Sequence, residues 1–79
     1  HMAVTVLLFA SWADALGSEV TLDLPSGARV QDVLNSLLAR AGDRTLPKPM
    51  VAVNQRYARP DTLVASGDEV AIIPPVAGG

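Results

Sequence analysis

Hydrophobic residues recur along this chain with two periods, and the places where one gives way to the other mark its elements. Residues 4–10 form a short β-branched and aromatic apolar run, and residues 20–24 alternate Val20, Leu22 and Leu24 with Thr21 and Asp23. Both read as strands. Between them, residues 11–16 fit one helical turn, with Ser11 as its cap and Gly17 as its stop. Pro25, Ser26 and Gly27 make a turn. Val30, Val33, Leu34, Leu37, Leu38 and Ala41 then fall at helical spacing, and Gly42 is placed to end the helix. That spacing predicts one helix with a buried face made of these residues.

Beyond a loop at 43–49, residues 50–53 predict a strand, Asn54 and Gln55 a turn, and 56–58 a short return that Pro60 and Asp61 break. Gly67 and Asp68 supply another turn, and residues 69–73 the last strand, suited to a sheet edge. Pro74 and Pro75 end it because neither can donate to a ladder. The order ββαβ(β)β buries its one long helix only against a single mixed sheet of four to five strands. This is a two-layer α+β roll of the β-grasp kind, one domain over residues 2–79.

A sheet covered by one helix has one packed face, so strand parity tells what the other face carries. If Val4, Val6 and Leu8 point at the helix, Leu7 and Phe9 point away; if Val70 and Ile72 point inward, Ile73 points outward. Phe9 and Ile73 are then exposed, and Tyr57 on the short strand can join them in a protein-binding patch. Scattered surface apolar residues are the plain alternative.

Composition narrows the chemistry. In 79 residues there is no cysteine, which removes disulfides, a thiolate nucleophile and every cysteine-based metal site. The only histidine, His1, precedes Met2 as a tag remnant would, so no histidine base, ligand or serine triad is expected. The six basic residues (Arg29, Arg40, Arg44, Lys48, Arg56 and Arg59) form no patch and the net charge is −2, which points away from nucleic acid. No apolar run approaches a membrane span and no secretory leader opens the chain, so the expected location is cytoplasmic. Asp68 and Glu69 read as a solvated turn rather than an acid/base pair, and Trp12 as packing rather than a stacking platform.

The most informative segment is the ending, residues 74–79. Pro74 and Pro75 favour an extended stem, and Val76, Ala77, Gly78 and Gly79 taper it to bare backbone with no charged side chain. Such a probe can enter a narrow channel and present the Gly79 carboxylate inside another protein. A frayed terminus is the plain alternative.

The opening Val6-Leu7-Leu8-Phe9-Ala10, the turn Val51-Ala52-Val53-Asn54-Gln55 and the ending from Gly67-Asp68-Glu69-Val70 through Ile72-Ile73-Pro74-Pro75 to Gly78-Gly79 together resemble the molybdopterin synthase small-subunit family of ubiquitin-like sulfur carriers. The related thiamine-pathway carriers also end in Gly-Gly but usually lack the diproline and the phenylalanine-alanine first strand. The resemblance implies a β-grasp fold and a chain that is not catalytic on its own and binds no cofactor. A ubiquitin-activating-like adenylyltransferase, using ATP and Mg, activates the Gly79 carboxylate, and a sulfur donor protein converts it to a thiocarboxylate. The tail then enters the large synthase subunit, in an assembly of two small and two large subunits, and gives its sulfur to the pyranopterin precursor. The resemblance also puts the partner-binding face at Phe9, Tyr57 and Ile73. The tail alone fits equally a carrier for thiazole, thionucleoside or cysteine synthesis, or a ubiquitin-like protein modifier; a plain β-grasp interaction module is the third reading.

Overall fold

The computed structural model describes residues 1–75. Seven elements follow in order: β1 (Met2–Leu8), α1 (Ala10–Leu16), β2 (Glu19–Leu24), α2 (Val30–Ala41), β3 (Met50–Val53), β4 (Arg56–Tyr57) and β5 (Glu69–Ile73). The strands form one mixed sheet ordered β2-β1-β5-β3-β4, in which only the β1–β5 pair is parallel. This is the α+β, β-grasp arrangement that the strand–helix order implies, with all five strands present and α2 as the main helix.

Alternation fixes the inner face. Val4, Val6 and Leu8 of β1, Val20, Leu22 and Leu24 of β2, and Val70 and Ile72 of β5 are all buried against Val30, Val33 and Leu37 of α2. Each fully buried side chain of this size contributes about 1.5–3 kcal/mol relative to exposure, so the shared seam of sheet and helix supplies most of the driving force. The parity expected for β1 and β5 therefore holds.

Four details differ from the sequence reading. Leu38 is 45% exposed, because a single sheet covers a stripe of α2 through positions 30, 33, 37 and 41, whereas Leu38 lies further round. The cap of α1 is Phe9 and not Ser11: Phe9 has extended backbone and its carbonyl accepts the first helical N–H groups, while Ser11 falls inside the first turn. The last strand is no edge. β5 lies between β1 and β3, and Pro74 is tolerated because both ladders end by Ile73. Finally, the segment after β4 is structural: Val64 is buried, and Val30 N–H donates to the Thr62 carbonyl (2.9 Å) while Val64 N–H donates to that of Ala28 (3.0 Å), clamping the start of α2. There the Asp32 carboxylate accepts the Arg29 N–H at 2.7 Å, an acid placed at the positive end of the helix dipole.

Trp12 is packing, as its solitary position suggests. It is buried to 1% exposure, and its indole Nε1–H donates to the Pro47 carbonyl at 3.0 Å, tying the 43–49 loop to the core. Trp12→Ala is expected to lower the urea-derived unfolding free energy by about 3–5 kcal/mol. Trp12→Phe should cost about 1–2 kcal/mol, the expense of leaving that carbonyl without its donor. Equal losses for the two would instead assign the effect to the indole N–H, which both variants lack.

Candidate functional site

The face of the sheet turned away from α2 carries an apolar groove of about 450 Å³, lined by Leu7, Phe9, Ala52, Gln55, Tyr57, Glu69, Ala71 and Ile73. Its shape follows from register. Leu7 pairs with Ala71, Ala71 with Ala52, and Ala52 with Tyr57, so one rung across four strands reads large, small, small, large. The two alanines are the floor and Leu7 and Tyr57 the walls. Phe9 and Ile73 close the end at which β5 passes into Pro74, while Glu69 and Gln55 stand at the other.

The structure thus brings together the three residues expected for a partner face. Phe9 is 47% and Tyr57 66% exposed; Ile73 is half-buried, its flank covered within the groove. Pro74 is half-buried and Pro75 exposed at the exit, and Val76, Ala77, Gly78 and Gly79 lie outside the described residues. Sequence reasoning missed Ala52, Ala71, Gln55 and Glu69. Two alanines on different strands give no signal until the strand order makes them neighbours.

Two of the groove residues break a local rule. At the cap of α1, serine, threonine, asparagine or aspartate would satisfy an orphan N–H, yet Phe9 stands there and makes no side-chain cap bond; Ala10 beyond it turns the chain with φ 52°. In the β3–β4 turn Asn54 (φ 50°) and Gln55 (φ 70°) are both left-handed, as a two-residue hairpin requires, but the second position favours glycine and holds Gln55 instead. Departures from local preference beside one groove are the pattern of residues retained for binding.

The polar end of the groove is held by a clasp. Asn54 Nδ2 donates to Asp68 Oδ1 (3.0 Å), Glu69 N–H donates to Asn54 Oδ1 (3.1 Å), and Asn54 N–H donates to the Glu69 carbonyl (2.8 Å). Asp68 Oδ2 also accepts the Ala65 N–H at 2.8 Å. The Ala65 amide, and after it the Asn54 amide, hold the Asp68 carboxyl below the usual carboxylate range, against a small opposing effect of desolvation. Asp68 is therefore the solvated turn residue its position suggests. Among the described residues no group of three or more His, Cys, Asp or Glu side chains could hold a metal ion, and no helix is long and apolar enough to cross a membrane. What the site offers is a shaped apolar surface beside the root of the tail.

The ThiS family model matches residues 6–79, strands, groove and tail together. The chain belongs to the ThiS family. Its curated relatives are named as molybdopterin synthase sulfur carrier subunits. The chain is similar to the molybdopterin synthase sulfur carrier subunit of Chlamydomonas reinhardtii, 41% identical over 83 residues that cover 99% of this chain and 100% of the relative. Among solved structures it is similar to the small archaeal modifier protein 1 of H. volcanii (TM-score 0.82, 29% identity, covering 96% of this chain and 100% of that one). It is equally similar to a putative molybdopterin converting factor subunit 1 of Pyrococcus furiosus (TM-score 0.82, 30% identity, 96% and 100%). The chain thus shares the ubiquitin-like β-grasp fold of these structures.

Two variants test this geometry. Phe9→Asp trades an exposed phenyl for a helix cap, terms of about 1 kcal/mol each and opposite sign, so its thermal midpoint should stay within a few degrees of the parent; collapse of the fold would mean that Phe9 belongs to the core. Asp68→Ala should lose about 1 kcal/mol at pH 7, a charged hydrogen bond discounted for partial exposure. Because the folded-state pKa is depressed, that contribution is complete above the ordinary aspartate value and disappears as pH falls through the lower folded value. The gap between parent and variant in denaturant titrations should therefore close below about pH 4.

Proposed function

We propose that this chain is the sulfur carrier of molybdenum cofactor biosynthesis, with the Gly79 carboxylate as its working group. The observation that carries the reading is the apolar groove at the root of the diproline tail, in a chain similar along its length to molybdopterin synthase sulfur carrier subunits. Phe9, Tyr57 and Ile73 seat a partner, and Pro74, Pro75, Val76 and Ala77 fill the channel that brings Gly78 and Gly79 to its chemistry.

The chemistry has two stages. A carboxylate resists nucleophiles, so an adenylyltransferase using ATP and Mg first joins the Gly79 carboxylate to AMP and releases pyrophosphate. Sulfur delivered by a donor protein at the sulfide level then attacks the acyl carbon and displaces AMP, leaving a terminal thiocarboxylate. Inside the large synthase subunit that sulfur attacks the pyranopterin precursor, and water cleaves the acyl–sulfur bond to return the carboxylate. The large subunit supplies the acid/base groups, in an assembly of two small and two large subunits, in the cytoplasm. This chain alone turns over nothing.

Similarity to the H. volcanii modifier favours one second reading, in which the activated glycine is joined to a lysine amine of a target and stays there. The intact mass of the chain after incubation with its activating enzyme, ATP, Mg and a sulfur donor separates the two. The carrier reading expects one oxygen replaced by sulfur, abolished by deleting Gly79 or adding a residue after it, with the fold unchanged. No replacement by an activating enzyme of demonstrated activity, or lysine conjugates in its place, would overturn it.

A further inference from the structure

The open face has a charge pattern as well as a shape. The outward strand positions are Ala3, Thr5 and Leu7 on β1, Glu19, Thr21 and Asp23 on β2, Met50 and Ala52 on β3, Tyr57 on β4, and Glu69, Ala71 and Ile73 on β5. They include three carboxylates and no lysine or arginine. Arg56, the basic residue on a strand, pairs with Val53, which pairs in turn with Val70 of the core, so its parity is that of the helix side. Arg29 and Arg40 lie at the two ends of α2, and Arg44 and Lys48 in the loop that follows it. The open sheet face is therefore acidic, whereas the rest of the chain, Arg59 included, carries six cations against five carboxylates and is nearly balanced.

Within that face Glu69 is set apart. It lines the groove, it is exposed, and neither it nor Glu19 forms a salt bridge among the described residues, whereas Asp23 lies 3.4 Å from His1. Its backbone is fixed twice to Asn54, so the carboxylate leaves from a rigid point. It stands two residues along β5 from Ala71, about 7 Å at the rise of a strand. We infer that the groove selects a partner segment of paired chemistry: an apolar side chain seated on the Ala52–Ala71 floor and, about 7 Å further from the tail, a guanidinium or ammonium meeting Glu69. The apolar contact supplies affinity. The ion pair sets direction, because a segment docked the other way round would place its cation against Phe9 and Ile73 and leave Glu69 unpaired. Glu69 is thus a specificity-determining residue that points an incoming partner relative to the exit of the tail. The inference rests on the reading that this face docks the large synthase subunit, and identifies the chemistry that subunit must present.

The test measures the dissociation constant of the full chain for the large synthase subunit of the same organism at low and high salt, with thermal midpoints as a check on folding. Glu69→Gln is expected to weaken binding roughly 3- to 10-fold at low salt and to flatten the salt dependence, and Glu69→Lys to weaken it about 10- to 100-fold by placing like charges together. Asp43→Asn, which removes the same charge beyond the end of α2, should bind like the parent. Glu69 variants that bind as the parent does, with the same salt dependence, while Phe9→Asp and Ile73→Asp fail to bind, would overturn the ion pair and leave the docking face standing. An equal loss for Asp43→Asn would reduce the effect to net charge and overturn it too. Parent-like binding by Phe9→Asp and Ile73→Asp would instead remove the docking face itself.

Discussion

The parallel pairing of β1 with β5 puts the first and last strands side by side in the middle of the sheet, and the remaining geometry is arranged around it. Because both strands lie inside the sheet, their inner positions are among the driest in the molecule: Val4, Val6, Val70 and Ile72 have no exposed surface. The pairing therefore sets register strongly, since a slip of one residue in either strand would turn that strand's inner side chains, Val4 and Val6 or Val70 and Ile72, to the outer face. The same register sets Leu7 beside Ala71 on the outer face, and with it one wall and part of the floor of the groove. It also determines where the tail begins, at the end of a strand anchored on both sides.

A strand anchored in this way gives the residues that follow it a fixed origin. Ile73 still pairs with Met50, and two residues later the chain is exposed at Pro75. The groove ends at that point, so a protein seated on Phe9, Tyr57 and Ile73 would receive the following residues from a defined place and direction. Proline suits this exit: it cannot extend the ladder, and its fixed φ restricts the directions the backbone can take at positions 74 and 75. The end of the groove and the start of the ending segment are thus two consequences of one strand.

The outer face shows how a small domain holds a shaped apolar groove without a separate element for it. With a single helix layer, the core uses only half of the sheet's side chains, and the other half are free to carry recognition. Small residues at the centre of the rung supply concavity, and large ones at its margins supply contact. The non-capping Phe9 and the left-handed Gln55 are where local preference gives way to that use, whereas the Asn54–Asp68 clasp compensates by fastening the turn to β5.

Periods of two and of 3.6 residues, the glycine stops and the diproline were enough to determine the strands, the long helix, the β-grasp class and the outward parity of Leu7 and Ile73, because these follow from local geometry and the need to bury one face. The tapering ending and its Gly-Gly were equally legible, since they are properties of the chain and not of its packing. Tertiary structure alone decided the strand order, the central place of β5, the exposure of Leu38 and the burial of Val64, for each depends on which distant segment arrives as a neighbour. It also decided the groove: Ala52 and Ala71 are nineteen positions apart in the chain and unremarkable there, and they become a floor only when β3 and β5 pair.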